Sequence, residues 1–327
     1  MKDKINITEI ARIAGVHPST VSRALNGSSL IREETRIWIQ EIARKHGYIP
    51  DAVAKSLSQG KTFTLGIIVP EISNTFYSHI VDAIEQTVAT LGYSLLLCSS
   101  RFDRDMEWKA VQTLLSKRVD ALVICAPLNT QALEPLARRT PIILCDVMAD
   151  LSGFDHVSVD EEAGMAAALD HLIEKGHQRI GCLADRVTVR RAQLFRSLLE
   201  KRGLPVNEDY FYEGVTMGAS CGYDGIHALA DRGSLPTALF AARDNIAVGA
   251  MRAAIEQNLR IPEQLALVGY DDLTVSSFLY KSLTTIRQPA EDIGKRVAAQ
   301  LLHRLGHLDS PAPTDRLVPT LVCRETT

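Results

Sequence analysis

The sequence predicts an α/β protein: an N-terminal all-α helix-turn-helix head followed by a core of two doubly wound parallel-sheet subdomains. Two observations carry this. The first sixty residues contain helical segments and turn residues but no strand-like run. From Thr62 onward, short apolar runs bounded by turn residues alternate with amphipathic segments, which is how parallel strands covered on both faces by helices read. About eight such strands over some 260 residues suit two open subdomains better than one sheet.

The head is justified element by element. Thr8 to Ala14 predicts a helix with Ile10, Ala11 and Ala14 on one face. Gly15-Val16-His17 breaks it, and the tight turn suits a residue without a Cβ penalty at positive φ. Pro18 fits a first helical position because its φ is fixed and its N–H is absent. Pro18 to Leu25 is then a second helix with Val21, Ala24 and Leu25 inward, ended by the turn Asn26-Gly27-Ser28-Ser29. Glu33 to Lys45 is a third, with Ile37, Trp38 and Ile42 as its apolar side. Its Glu33-Glu34 start and Arg44-Lys45 end complement the helix dipole. Helix, three-residue turn, helix is the spacing of a DNA-reading motif.

In the core, the strand candidates are Leu65–Val69, Leu95–Cys98, Ala121–Cys125, Ile142–Cys145, Val157–Val159, Ile180–Leu183, Ala238–Phe240 and Ala266–Tyr270, with a last strand-like piece at Leu317–Val322. Helical candidates lie near 78–91, 105–117, 161–175, 190–202, 220–231, 245–257 and 290–305.

Charge agrees with this division. The net charge is −3. Residues 1–60 hold nine Lys or Arg against six Asp or Glu, a net +3, which leaves −6 for the rest. A basic head on an acidic body is the footprint of a nucleic-acid-binding module joined to something else. Six scattered cysteines without a CxxC pair argue against a disulfide framework or a cysteine zinc site. The first residues lack a signal-peptide apolar region, and no run approaches the roughly 20 apolar residues of a membrane span. A soluble cytoplasmic protein is expected.

Enzyme chemistry has weak support. Gly218-Ala219-Ser220-Cys221-Gly222 matches the G-x-S-x-G nucleophile elbow, but that motif needs a strand feeding it and later acid and His partners. The context favours a helix start with Ser220 as N-cap. His303 and His307 have i, i+4 spacing but no nearby Glu, and read as an exposed helix end. There is no G-x-G-x-x-G after a strand and no P-loop. No cofactor and no metal site is expected.

Ligands of doubly wound sheets sit beyond the carboxyl ends of the strands. The residues there are Asn74, Phe76 and Tyr77, then Asp146, then Asp185, Arg186, Arg190 and Arg191, then Arg243 and Asp244, then Asp271 and Asp272. Rings beside acids and guanidinium groups suit a small polar ligand such as a sugar. About half of such positions are surface salt bridges or helix caps instead; Asp244 is placed to cap helix 245–257.

TEIARIAGVHPSTVSRALNG, followed by HGYIPDAVAKSLSQGKTFTLGIIVPEISNTFY, RDNIAVGAM (243–251), LVGYDD (267–272) and LTTIRQP (283–289), resembles the LacI/GalR family of bacterial transcription regulators nearly end to end. The resemblance implies a homodimer that binds double-stranded operator DNA, with a periplasmic-binding-protein-like core. It divides the chain into a DNA-binding head (1–49), a hinge helix and linker (50–61) and an effector-binding core (62–327). The two core subdomains fall at approximately 62–160 plus 290–320, and 161–289 plus the C-terminal end.

Under this resemblance Pro18, Ser19 and Arg23 fall on base-reading positions, Thr20, Ser22 and Asn26 on phosphate or nearby base contacts, and Tyr48 on a backbone contact. His17 departs from the usual Ser that caps the recognition helix. Asp51 to Ser58 matches the hinge helix; its Leu57 would wedge into the minor groove with Ala54 beside it. Asn74, Phe76, Tyr77, Asp146, Arg191, Arg243, Asp271 and Gln288 are the expected effector contacts. Arg243 stands where the family usually has Asn, and Leu194 where it has Gly. An added guanidinium favours an anionic effector, a sugar acid or sugar phosphate. Alternatively Arg243 pairs with Asp271 or Asp146 and the ligand is a neutral sugar. No leucine-heptad tail follows the core, so a dimer is expected. The leading reading is a ligand-controlled repressor of a carbohydrate or sugar-acid utilisation operon. A sugar-binding receptor without gene control and a hydrolase using Ser220 are the readings from other classes.

Overall fold

Residues 5–49, 60–147, 151, 153–308 and 313–327 are described by the structure, a computed structural model. It divides into a head, up to Phe63, and a core, Thr64–Thr327.

Asn6 starts the head: its side chain accepts from the Glu9 amide at 3.0 Å and caps α1 (Ile7–Ile13). Gly15 turns the chain at φ +63°. His17 leads into α2 (Pro18–Leu25), and α3 (Glu33–Lys45) closes over both. Ile10, Val21, Ala24 and Ile39 are fully buried at the centre, joined by Ala11, Ala14 and Ala43. Here one expectation is corrected. Ile37 and Trp38 are 49% and 45% exposed. The inward stripe of α3 is the i, i+4 pair Ile39 and Ala43 with half-buried Ile42, and Ile37 falls on the opposite side of the helix.

The core holds two six-stranded sheets among the described residues. The first comprises β1 (Thr64–Val69), β2 (Ser94–Ser99), β3 (Ala121–Cys125), β4 (Ile142–Val147), β5 (Asp155–Val159) and β11 (Thr314–Leu317), in the order β11-β5-β4-β3-β1-β2 and parallel throughout. The second comprises β6 (Ile180–Asp185), β7 (Phe211–Gly214), β8 (Ala238–Ala241), β9 (Ala266–Asp271), β10 (Thr284–Arg287) and β12 (Thr320–Val322). Its order is β12-β10-β9-β8-β6-β7, with only the β10–β12 pair antiparallel.

Helices α4 (Thr75–Ala89), α5 (Arg104–Ser116) and α6 (Thr130–Ala137) follow strands of the first sheet, and α7 (Glu161–Glu174), α8 (Val189–Lys201), α9 (Ala219–Asp231) and α10 (Asp244–Glu256) belong with the second. α11 (Ala290–Gly306) returns to pack on α4, β4 and β5. The chain thus crosses between subdomains after β5, after β10 and after β11. Strand interiors such as Ile67, Val123, Ile143, Leu183, Leu239 and Leu267 are wholly buried, as helix-covered parallel sheets require.

Four elements escaped the sequence reading. β7 (Phe211–Gly214), β10 (Thr284–Arg287) and β11 (Thr314–Leu317) are short and carry Glu213, Thr284, Arg287, Asp315 or Arg316, so unlike the equally short β8 they show no apolar run, and α6 contains Pro135. The G-x-S-x-G stretch is also corrected. Gly218, at φ +58°, is the N-cap of α9; Ser220 lies within the first turn and is exposed. Gly222 instead faces the Ile246 carbonyl of α10, while Gly249 of α10 faces the Ala219 carbonyl of α9. The glycines serve close helix packing, not a nucleophile.

Candidate nucleic-acid interface and ligand cleft

His17 takes over the capping role expected of Ser. Its Nδ1 accepts from the Ser19 amide at 3.3 Å and lies 2.8 Å from Ser19 Oγ, so one imidazole satisfies a free N–H of the first turn. With Val21 and Ala24 buried, the other side of α2 presents Ser19, Arg23 and, at its C-cap, Asn26, all exposed. Pro18, Thr20 and Ser22 are half-buried at the flanks, and Asn26 Nδ2 donates to Ser22 Oγ at 3.5 Å. The helix therefore carries a guanidinium, hydroxyls and an amide on one face, the groups that read base edges and hold phosphates. Tyr48 is half-buried against the head's core. Ala54 and Leu57 lie outside the described residues.

In the core, the carboxyl ends of both sheets face a cavity of about 520 Å³. Asn74, Phe76, Tyr77, Asp146, Arg191, Arg243, Asp271 and Gln288 all line it. The size and mixture are those of a small-ligand site. A second cavity, about 710 Å³, lies beyond Asp271 and Gln288 between α4 and the start of α11. It shares Phe76, Asp271 and Gln288 with the first, but is otherwise edged by exposed His79, Asp82, Gln86, Arg287 and Lys295, and Tyr77, Asp146, Arg191 and Arg243 do not line it.

Local structure positions each group in the first cavity. Asn74 caps α4, accepting from the Phe76 amide at 3.0 Å, and so sets Phe76 and Tyr77 edge-to-face at the wall. The Tyr77 hydroxyl donates to Asp146 Oδ2 at 2.8 Å. Asp146 sits at φ +54° just where β4 bends. Burial pushes its carboxyl above the usual range, with the Arg191 guanidinium opposing. Burial likewise raises the Tyr77 phenol. Gln288 Nε2 donates to Asp271 Oδ1 at 2.7 Å, and burial pushes the Asp271 carboxyl up to about 6. Arg191 is engaged by the protein itself: Nε and Nη2 reach Glu161 Oε1 at 2.8 and 2.6 Å, Nη1 reaches the Ala242 carbonyl at 2.9 Å, and its face covers Tyr270.

Arg243 pairs with neither carboxylate expected for it. Its Nη2 donates to Glu71 Oε2 at 2.7 Å, from the loop after β1, and its Nη1 lies 3.8 Å from Asp185. β8 and β1 belong to different sheets, so this pair spans the cleft. Three other strand-end acids are structural. Asp185 accepts from Thr188 Oγ1, the Val187 amide and the Gly218 amide. Asp244 does not cap its own helix; it accepts from Ser276 Oγ, Thr285 Oγ1 and the Leu273 amide, pinning β9 and β10 to α10. Asp272 is clasped by Arg287 and Arg324. Sequence reasoning missed Glu71 and Glu161, which stand just past β1 and β5 as Arg243 does past β8, Phe102 in the loop after β2, and Glu107, which works from behind the wall. Buried Glu107 accepts from the Leu128 and Asn129 amides and holds the loop after β3 against the cavity.

A basic-faced helix-turn-helix reader joined to a two-subdomain core with a polar cleft is the make-up of a ligand-responsive DNA-binding regulator. Residues 6–51 match the lacI family of bacterial regulatory proteins, and residues 169–327 match a periplasmic binding protein-like domain. The chain is 31% identical to the ribose operon repressor of Escherichia coli strain K12, over 97% of this chain and 98% of that protein. It is 32% identical to the HTH-type transcriptional repressor PurR of Aliivibrio salmonicida, over 91% of this chain and 92% of that one. The Lac repressor dimer bound to operator and the anti-inducer ONPF superimposes with a TM-score of 0.88 at 28% identity, covering 99% of both chains. The chain belongs to the lacI family of bacterial transcription regulators. Its relatives are repressors, not enzymes, and its helical head and parallel-sheet core have the Lac repressor fold. No helix among the described residues is long and apolar enough to cross a membrane.

Proposed function

We propose that this protein is a cytoplasmic homodimeric repressor of a carbohydrate-use operon, released from or recruited to a near-palindromic operator by a sugar-type effector in the core cleft. The observation that carries this is the pairing, in one chain, of an exposed reading face (Ser19, Arg23 and Asn26 on α2) with a cleft of about 520 Å³ lined by Phe76, Tyr77, Asp146 and Asp271. Arg23 reads guanine through O6 and N7, Pro18 and Ser19 complete the base contacts, and Thr20, Ser22, Asn26 and Tyr48 fix the register on the backbone. Leu57, with Ala54 beside it, wedges into the minor groove at the dyad, where a flexible central step lowers the cost of the kink. Closure of the two core subdomains on the effector changes how the paired hinges dock. That coupling is reciprocal, so DNA changes effector affinity by the same factor.

The test is a gel shift with genomic fragments and purified full-length protein, with and without candidate effectors. Retardation of discrete fragments, lost in Arg23→Ala and altered by one sugar-type ligand, is the expected result. Absence of any DNA binding at low salt refutes the reading. The effect of Arg23→Ala is expected at roughly 1–3 kcal/mol on the specific complex, with sequence preference relaxed at one base pair of each half-site.

A further inference from the structure

We propose that the effector is a polyhydroxy compound carrying one anionic group, and that Glu71 is the internal carboxylate with which that group competes for Arg243. The inference rests on the reading of the core cleft as the effector site.

The strand order of the second sheet gives the cleft a polarity. Along β10, β9, β8 and β6, which are neighbours in that order, the strand ends carry Gln288, Asp271, Arg243, and then Arg186 with Arg190. With about 4.8 Å between strands, the three steps of the row separate its two ends by roughly 14 Å.

The β10–β9 end offers acceptors. Gln288 is 4% exposed, its Nε2 is spent on Asp271, and its Oε1 is buried with no partner. Asp271 adds a carboxylate oxygen here, and Asp146, from the other subdomain, adds another acceptor to the cavity wall. A buried acceptor without a donor costs free energy that a hydroxyl group recovers, so this end selects a polyol.

The β8–β6 end offers cations. Arg186 and Arg190 are exposed at the mouth, and neither forms an ion pair among the described residues. Arg243 is 5% exposed, and its strong contact is Glu71. Asp185, 3.8 Å away, is committed to Thr188, Val187 and Gly218. Glu71 is different. It stands on the loop after β1, its side chain is 32% exposed, and it can return to water at little cost. A ligand carboxylate or phosphate presents the same oxygens to the same guanidinium and gains Arg186 and Arg190 as well. Arg191, bound on three nitrogens by Glu161 and Ala242, belongs to the wall and not to this anion site.

The experiment uses purified full-length protein, with melting temperature and calorimetric affinity as readouts. The probes are matched sets: D-glucose, D-gluconate and D-glucose 6-phosphate, and D-ribose, D-ribonate and D-ribose 5-phosphate. The expected result is stabilisation by an anionic member with little or none by its neutral parent. The carboxylate and phosphate arms tell which anion is read. Arg243→Asn lowers that affinity at least about tenfold, the loss of one charge-assisted contact. Glu71→Gln raises it by removing the competitor. Arg186→Ser with Arg190→Ser, both exposed and safe for folding, lowers it and flattens its salt dependence. Stabilisation by the neutral parents alone, no response to any anionic probe, or weaker anion binding in Glu71→Gln overturns the inference. A gel shift on the same preparation separates the two readings: DNA binding with a purely neutral-sugar response sinks only this inference, whereas absent DNA binding sinks the regulator reading itself.

Discussion

Gly222 on α9 meets the backbone carbonyl of Ile246 on α10 where a Cβ would stand, and Gly249 makes the reciprocal approach to the carbonyl of Ala219. This contact docks two helices of the second subdomain through backbone, so no side chain can swing away to make room. Gly222→Ala is expected to destabilise the protein by at least about 1–3 kcal/mol, the usual cost of overpacking. Exposed Ser220, two residues earlier, should change stability by less than about 0.5 kcal/mol when replaced by Ala. Melting curves of the two variants side by side check this. A Ser220→Ala loss as large as that of Gly222→Ala would restore a special role to the hydroxyl.

The imidazole cap on α2 makes a second expectation. His17→Ala removes the acceptor for the Ser19 amide, costs the head about 1 kcal/mol, and weakens operator binding through a frayed reading helix. His17→Ser keeps a capping oxygen and should retain most of the affinity. Titrations of one operator fragment with the three proteins decide the point; equal losses for Ala and Ser would mean that the ring itself touches DNA.

What the sequence made legible follows from period and punctuation. Pro18 at N1, Gly15 in the turn and the run of apolar strands announced the head and the sheets because each rests on local chemistry. Ile37 and Trp38 misled because hydrophobicity alone does not choose between helix faces; Ile39, with half-buried Ile42, packs in one cluster with Ile10 and Val21, and Ala43 is buried on the same side. The cleft residues after β1, β4, β8 and β9 were legible because parallel topology sends strand ends to one place. Their partners were not. Glu71 meets Arg243 across 172 positions of sequence and Glu107 meets Leu128 across 21, and no spacing rule encodes either.

Asp244 gives a pH dependence. It is wholly buried; burial pushes its carboxyl up to about 7, Asp271 adds to the rise, and its bonds from Ser276, Thr285 and the Leu273 amide oppose it. A carboxyl raised in the folded state binds its proton more tightly there than in the unfolded chain. Between about 4 and 7 unfolding therefore releases a proton, and stability falls as pH rises through that window. The slope from one such group is at most about 1.4 kcal/mol per pH unit. Asp271, pushed up to about 6, contributes in the same direction. Melting temperature from pH 5 to 8 should fall less steeply in Asp244→Asn than in the native protein; parallel profiles would show that Asp244 keeps its charge throughout.

Glu107 tests whether the cleft depends on support from behind. Its side chain is buried in α5, one carboxylate holds the amides of Leu128 and Asn129, and Leu128 forms part of the cavity wall. Burial raises this carboxyl while the two amides draw it back, so the bonds hold the charged form in place. Glu107→Ala leaves both N–H groups without an acceptor, at a cost of about 1–3 kcal/mol for each group that water cannot reach. The loop after β3 then loses its anchor. Effector affinity should drop although Glu107 touches no ligand, and Glu107→Gln, which retains one carbonyl oxygen, should fall between the two. Calorimetric titration of the three proteins with one effector measures this order. If Glu107→Ala melts lower yet binds effector as tightly as the native protein, the loop holds its place without the carboxylate, and the wall at Leu128 is set by β3 alone.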